Sequence, residues 1–458
     1  MFTFIKIISA ITAFLMSVLP LVSQPEQQKC KPEFTGTFIQ SWMTCVWDDE
    51  RWAEEVENME KAGIEYLILQ CLADKGYQEN GGQWNVYYDT DVEALENATF
   101  GGDCLEPALK HCQDAGIKVF VGLSMFDDFW NEAGSSQYLD VCQVAGDMIE
   151  DIYNKYGEKY KDTLYGWYFT PEISNGLLCQ LTFNGIVDGI NHVIDRINEV
   201  DATKPLLMSP FYSEYMATGP VATLSSYVKF FNKVNFRDGD IFAPQDAVGA
   251  KWVREKNLEM TWKMYKAAID TCKADVKLWA NCENFDGAIT SETLGGVLSP
   301  KMTEHTSNMT ATLDDFVYQM EIASKYAENI ITFSYNHYYS PSLVNPAFIN
   351  TYYDYVENGY VLESEAPEAP ANAKKVQSEN GVEISWDEAI DNFGIAYYRL
   401  EKDGKFLARI DKYYGYEENY FIDETGSIDS IYTIETVDAA GNSTGKITIN
   451  RTITKRQS

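Results

Sequence analysis

Two glutamates carry the strongest chemical signal in the sequence. Glu172 follows an aromatic-rich apolar run in YGWYFTPEISNG, and Glu283 closes another in LWANCE. Cleavage of an acetal link between sugars needs such a pair. One carboxyl protonates the leaving oxygen and the other attacks the anomeric carbon, the two standing ~5–5.5 Å apart when configuration is retained. Glu172 also has a plainer reading. Thr170, Pro171 and Glu172 make a good helix start, with Thr170 as N-cap, Pro171 at the first helical position and Glu172 at the positive end of the dipole. The elements that would position the two acids decide between these readings.

Runs rich in Val, Ile, Phe and Tyr recur at Thr35–Trp42, Glu65–Leu72, Ile117–Phe126, Leu164–Thr170, Lys204–Phe211, Asp240–Ala247, Val276–Glu283 and Asn329–His337. Their continuous hydrophobicity suits strands covered on both faces, as parallel strands are. Between them lie segments of helical period such as DDERWAEEVENMEKAG and CLEPALKHCQDAG, which end in Ala-Gly-Ile just before a strand. Eight strand–helix alternations over roughly 330 residues predict an α/β fold, a (β/α)₈ barrel. A doubly wound open sheet competes, but TFIQSW is not followed by the Gly-rich phosphate turn expected there.

In such a barrel chemistry sits at the C-terminal ends of the strands. Those positions hold Gln40 and Trp42, Gln70, Phe126 with Asp127 and Asp128, Glu172, Phe211 and Tyr212, Gln245 and Asp246, Asn281 and Glu283, and Tyr335, Asn336 and His337. The two glutamates end the fourth and seventh strands, which face each other across the barrel mouth. Trp42, Trp84, Phe126, Trp130, Tyr212, Tyr335 and Tyr338 are candidate platforms for a pyranose face or, equally, core side chains. Asp127 and Asp128 read as hydroxyl binders or a solvated loop pair, and His337 as a substrate contact, an orienter of Glu283 or a packed histidine.

WYFTPEI and LWANCENFDG resemble the strand-four and strand-seven signatures of retaining (β/α)₈ glycoside hydrolases. More closely, GTFIQSW, GIEYLILQ, GWYFTPEI and LWANCE are similar to a secreted glycosidase-like barrel family catalogued as a domain of unknown function, over about residues 34–360. The resemblance implies an enzyme that hydrolyses glycosidic bonds of a neutral poly- or oligosaccharide without a cofactor, with Glu172 as acid/base and Glu283 as nucleophile. Gln40, Trp42, Gln70, Phe126, Asp127, Tyr212, Gln245, Asp246, Asn281, Tyr335, Asn336 and His337 would bind substrate. One departure bears on the substrate: the broader superfamily has Asn before the strand-four glutamate to hold the 2-hydroxyl, and this chain has Pro171. Gln245, Asn281 or Asn336 would have to make that contact. A barrel that binds carbohydrate without cleaving it is the competing reading.

Composition bounds the setting. The formal charge of −33 repels nucleic acid and anionic lipid but not a neutral sugar. Four histidines and no CxxC pair argue against a metal site. Nine cysteines leave at least one thiol unpaired within the chain; Cys104 and Cys112 could form a local bridge, whereas Cys71 and Cys282 read as small buried hydrophobes. Lys6 ahead of a short apolar run predicts a signal peptide over residues 1–23, hence a secreted or cell-surface protein with no membrane span after cleavage, acting as a monomer. Sequons stand at Asn97, Asn308, Asn442 and Asn450. The barrel is expected over 30–362, a Pro/Ala/Glu linker over 363–371, and over 372–455 an all-β sandwich. There WDEA, with Trp386, and YTIETVDAAGNSTG, with Tyr432, resemble the early Trp strand and late Tyr strand of a fibronectin type III module.

Overall fold

The apolar runs become β1 (Gly36–Ile39), β2 (Tyr66–Leu69), β3 (Lys118–Gly122), β4 (Leu164–Phe169), β5 (Leu206–Met208), β6 (Ile241–Phe242), β7 (Lys277–Glu283) and β8 (Asn329–Phe333). Each pairs in parallel with its neighbour in sequence and β1 closes on β8, so the sheet is a closed eight-stranded barrel and not an open one. The computed structural model describes residues 28–179, 181–215, 219–287, 309–412 and 419–451. The expected signal peptide and the sequon at Asn308 lie outside the described residues. Within them no helix is long and apolar enough to cross a membrane.

Helices follow the strands in turn: α1 (Asp49–Lys61), α2 (Leu105–Ala115), α3 (Ser136–Tyr156), α4 (Phe183–Asp201), α5 (Gly219–Phe231), α6 (Glu255–Ile269) and α7 (Leu313–Ala323). Local chemistry sets their ends. Asp48 caps α1 by accepting the Arg51 N–H at 2.9 Å. Beyond α1 and at the end of α2 stand Gly63 and Gly116, with φ of 78° and 73°, the left-handed turn that glycine adopts freely. Cys104 and Cys112, at the two ends of α2, are separate buried thiols. One apolar side chain from every strand fills the barrel: Phe38, Ile68, Phe120, Tyr168, Leu207, Ile241, Trp279 and Ile331. The interior is thus a packed core, and only its rim is open to chemistry.

Several strands stop earlier than the apolar runs suggest. Proline explains two of them. Pro210 follows β5 and Pro244 follows β6, and a residue without an N–H cannot continue the ladder. The third run divides at Gly122: Ser124–Phe126 leaves the barrel for a small sheet with Ala73–Lys75, Trp84–Val86 and Thr99–Phe100. The eighth run ends at Phe333, and Tyr335–Tyr338 form a helical turn instead.

The seam between β1 and β8 is short, with Gly36 opposite Ile331 and Thr37 opposite Thr332. A Cβ on Gly36 would stand 2.8 Å from the Ile331 side chain, so the strands meet there over a bare backbone. The Thr37 hydroxyl accepts the Tyr335 N–H at 2.9 Å. Glu55 of α1, fully buried, fastens the same region: it accepts from Arg51 at 2.8 Å and from the Asn336 amide at 2.5 Å.

A second compact unit comprises Met309–Val317 and the chain from His337 onward. Its β portion is a sandwich of two four-stranded sheets, mostly antiparallel. One contains β9 (Lys374–Ser378), β10 (Gly381–Ser385) and β13 (Tyr420–Asp423), with β16 (Asn450–Arg451) at its edge. The other contains β11 (Ile395–Lys402), β12 (Lys405–Asp411), β14 (Tyr432–Asp438) and β15 (Ile447–Thr448). Val382, Ile384, Trp386, Tyr398, Leu400, Tyr432 and Ile434 form the core between them. Asp403-Gly404 turns β11 into β12 with both φ positive, at 51° and 75°, the primed geometry that matches strand twist.

Glu55→Ala leaves Asn336 and Arg51 without their buried acceptor. The expected loss is about 3–5 kcal/mol of unfolding free energy, measured by urea titration; a loss within the range of a surface substitution would show that the fastener is not a stabilising one.

Candidate active site

Thr170 does not cap a helix. Its hydroxyl donates to the Ser124 carbonyl at 2.6 Å, and the chain beyond Pro171 stays extended. The reason lies in the neighbouring strand. Ser174 bridges to Phe211, the Phe211 N–H donates to the Ile173 carbonyl at 3.2 Å, and Asn175 exchanges two hydrogen bonds of 3.1 Å with the Ser213 backbone. These contacts prolong the β4–β5 pairing past the prolines and hold Glu172 over the barrel mouth. The helix-start reading is therefore overturned.

Glu283 is the last residue of β7 and is buried, 3 % exposed. Its Oε2 accepts the Ala250 N–H at 2.6 Å. Between the two acids stands Gln245, on the extension of β6, where its N–H donates to Pro210 O and an isolated bridge joins it to Asn281. The Gln245 amide donates to Glu172 Oε1 at 3.2 Å and to the Ser209 carbonyl at 3.3 Å. Glu172, Gln245 and Glu283 line one cavity of 430 Å³, with Gln70 as a further amide. That volume suits a small organic ligand.

Aromatic rings form the rest of the wall. Trp130 and Phe211 meet edge to face with centroids 5.0 Å apart, and Trp252 packs on Phe211 at 6.0 Å. Phe285 and Phe333 meet at 6.4 Å and line the same cavity. Three carboxyls at this end of the barrel hold their protons more tightly than usual. Burial raises Glu172, opposed by the Gln245 amide. Burial raises Glu283 well above the ordinary glutamate value, reinforced by the charges of Asp246 and Glu172 and opposed by the Ala250 N–H and Lys251. Burial pushes Asp246 up to about 7.

Other residues expected at the rim go elsewhere. Phe126 is buried against Phe129, Tyr212 is buried, and Tyr335 packs inward on Phe34. Asn336 is committed to Glu55, and Asn281 donates to the Ser209 hydroxyl at 3.0 Å within the barrel. Trp42 is 57 % exposed and Gln40 precedes a short helical turn, neither among the cavity's lining residues. Asp127 is exposed, and Asp128 accepts the Gln78 N–H at 2.8 Å. His337, half-buried, has its imidazole held in the neutral form by desolvation. Among the described residues no His, Cys, Asp and Glu cluster could hold a metal. Trp252, the Ala250 N–H, Phe285 and Phe333 were not singled out by spacing. The aromatic after the GA pair in GAKWV was the one available signal for Trp252.

Among curated proteins, none matches the sequence. Solved structures do. A Bacteroides thetaiotaomicron protein described as a candidate α-L-fucosidase superposes with a TM-score of 0.56 at 18% identity, over 76% of this chain and 98% of its own. An endo-1,4-β-D-mannanase from Thermotoga petrophila gives 0.42 at 11% identity, over 66% of this chain and 88% of its own. At such identity the first likeness bears on the barrel fold. The family assignment comes from the sequence itself: residues 34–345 match the profile of the family described as "Domain of unknown function (DUF4434)", and the chain belongs to that family.

Proposed function

We propose that the protein is an exported glycoside hydrolase that cleaves a neutral poly- or oligosaccharide with retention of configuration. The observation that carries this reading is that Glu172 and Glu283, from the ends of β4 and β7, line one aromatic-walled cavity with a glutamine amide beside them. Flat rings match the C–H face of a pyranose, and amides and carboxyls match its hydroxyls.

The division of labour follows from the hydrogen bonds. Glu283 receives a backbone N–H at 2.6 Å and has Lys251 nearby, two features that favour its anion. Glu172 receives one neutral amide at 3.2 Å and so has fewer donors for its anion than Glu283, whose own proton affinity is raised by the charges of Asp246 and Glu172 and falls when those two are un-ionised. Glu172 therefore protonates the leaving oxygen while Glu283 attacks the anomeric carbon, and the bond to the leaving group breaks as the glycosyl ester forms. Glu172, now ionised, takes a proton from the water that attacks the ester, which returns Glu283 as a carboxylate. The Gln245 amide keeps Glu172 aimed at the cavity through both steps and is placed to take over the hydroxyl contact that Pro171 cannot make. Export rests on the apolar run behind Lys6.

Glu283→Ala is expected to abolish release of sugar from a panel of aryl glycosides, with azide restoring cleavage and giving the glycosyl azide of inverted configuration. Glu172→Ala should cost about 10²–10⁴-fold on natural glycans and much less on substrates with an activated leaving group, azide then giving the retained product. Full activity in either variant would eliminate the assignment, and glycan retention by the wild-type protein with no product on any substrate would favour a non-catalytic carbohydrate-binding barrel. Removing one ring of the wall in Trp252→Ala should raise KM by about 5–30-fold with a smaller change in kcat, as read from initial rates.

Both carboxyls hold their protons to higher pH than free glutamate does. Activity needs Glu283 ionised and Glu172 protonated, so the whole bell of kcat/KM against pH is expected to lie above the ordinary carboxylate range. A profile already maximal near about pH 4 would contradict this electrostatic account.

A further inference from the structure

Asp246 lies directly behind Glu283. It is fully buried, yet the proposed reaction gives it no step. Its Oδ1 accepts the Val248 N–H at 3.2 Å and the Glu283 N–H at 3.3 Å, and its own N–H donates to the Asn281 carbonyl at 2.9 Å. Oδ2 is buried with no N–H or O–H donor on it among the described residues. The titratable groups facing the carboxyl are Glu283 and the Cys282 thiol from β7 and the Tyr265 hydroxyl from α6; Glu172 and Lys251 act on Glu283 from beyond.

The turn that follows Asp246 is shaped to the Glu283 side chain. Ala250 supplies its N–H donor. A Cβ on Gly249 would stand 2.4 Å from the Phe285 carbonyl, 2.9 Å from Glu283 Cβ and 3.1 Å from Glu283 Oε2, so the backbone passes where no side chain fits. Ala247 and Lys251 take φ of 57° and 62°, a conformation that non-glycine residues hold only where surrounding contacts impose it.

Two carboxylates this close in a dry interior do not both ionise, because each charge adds to the desolvation cost of the other. Glu283 has a short N–H donor, a nearby ammonium and a face on the cavity, all of which favour its anion. Asp246 has a buried Oδ2 with no N–H or O–H donor, and its one side-chain donor is the weak Cys282 thiol. We propose that Asp246 is a positioning residue for Glu283: its Oδ1 fixes the Glu283 main chain, and as the un-ionised member of the pair it leaves Glu283 standing as the anion toward substrate. Burial raises the Asp246 carboxyl to about 7 against the pull of its two backbone donors and the Cys282 thiol; it raises Glu283 as well, so the Ala250 N–H, Lys251 and the opening to the cavity decide which of the two ionises. As a role in the reaction this rests on the hydrolase reading; as a statement about protonation it does not.

The test uses the full chain and begins without substrate. Because Asp246 keeps its proton in the folded state to a higher pH than in the unfolded chain, its contribution to stability is complete below the ordinary aspartate value and is lost as pH rises through about 7. Compared with wild type over about pH 4 to pH 8, Asp246→Asn should show a shallower fall in the thermal unfolding midpoint, with the part due to Glu172 and Glu283 remaining. Glu283→Gln, which removes the neighbouring charge, should move the fall to lower pH. An unaltered slope in Asp246→Asn, or in Glu283→Gln should the first variant not fold, overturns the proposal.

With an aryl glycoside that the wild type cleaves, Asp246→Ala should lower kcat by about 10²-fold or more with KM within about threefold. Asp246→Asn, which mimics the neutral acid, should recover at least about tenfold of that loss. Equal activity in the two variants overturns the positioning role. If the wild type cleaves no glycoside, the functional reading fails while the pH slopes still decide the state of Asp246.

Discussion

A carboxylate gives up a large hydration energy when it leaves water, and this barrel buries two of them, Asp246 and Glu283, and half-buries a third, Glu172, at one end. Glu172, Asp246 and Glu283 are brought together by the ends of three strands, where backbone amides, one glutamine, one lysine and the Cys282 thiol compensate. Such an arrangement is costly as scaffolding, since apolar residues of the same volume would pack there at no electrostatic penalty. It is intelligible as a device for holding protons at pH values where free carboxyls have lost them. The architecture below serves that device. A fully packed interior, one side chain from each strand, gives the rim a floor that does not yield.

The rim is built by extended chain that continues strand pairing after the strands have formally ended. Ser174 bridges Phe211 and Gln245 bridges Asn281 beyond prolines that interrupt the ladder. This couples positions distant in sequence: the Pro210 carbonyl accepts the Gln245 N–H and the Ile173 carbonyl accepts the Phe211 N–H, and the Gln245 amide reaches Glu172. The sandwich unit achieves order differently, through an apolar layer between two sheets with Tyr432 anchored by its hydroxyl on Asp423 at 2.8 Å.

The barrel was legible because strands buried on both faces must be apolar throughout, and eight such runs are hard to arrange otherwise. That Glu172 and Glu283 would meet at one cavity was legible because each ends an apolar run, on the fourth and seventh strands of the barrel. Gln245 was readable as a rim residue but not as the partner of Glu172, a contact made beyond two prolines that interrupt the strands. Phe126, Tyr335 and Asn336 were expected one turn too far along their runs. Apolar composition does not mark where a strand leaves the barrel, and beyond Gly122 and Phe333 the chain turns inward or into another sheet. The seat of Glu283 was hidden for a related reason: DAVGAK has no signature that distinguishes a turn wrapped round a carboxylate from any other loop.

Closure of the barrel depends on a residue with no side chain. Gly36 faces Ile331 across a seam of two residue pairs, and even one methyl group there would collide with it. The first and last strands are far apart in the chain, so their meeting is the step with the greatest loop entropy to overcome. Sequence drift in this lineage should therefore spare position 36, although it lies at the opposite end of the strand from the carboxyl cluster.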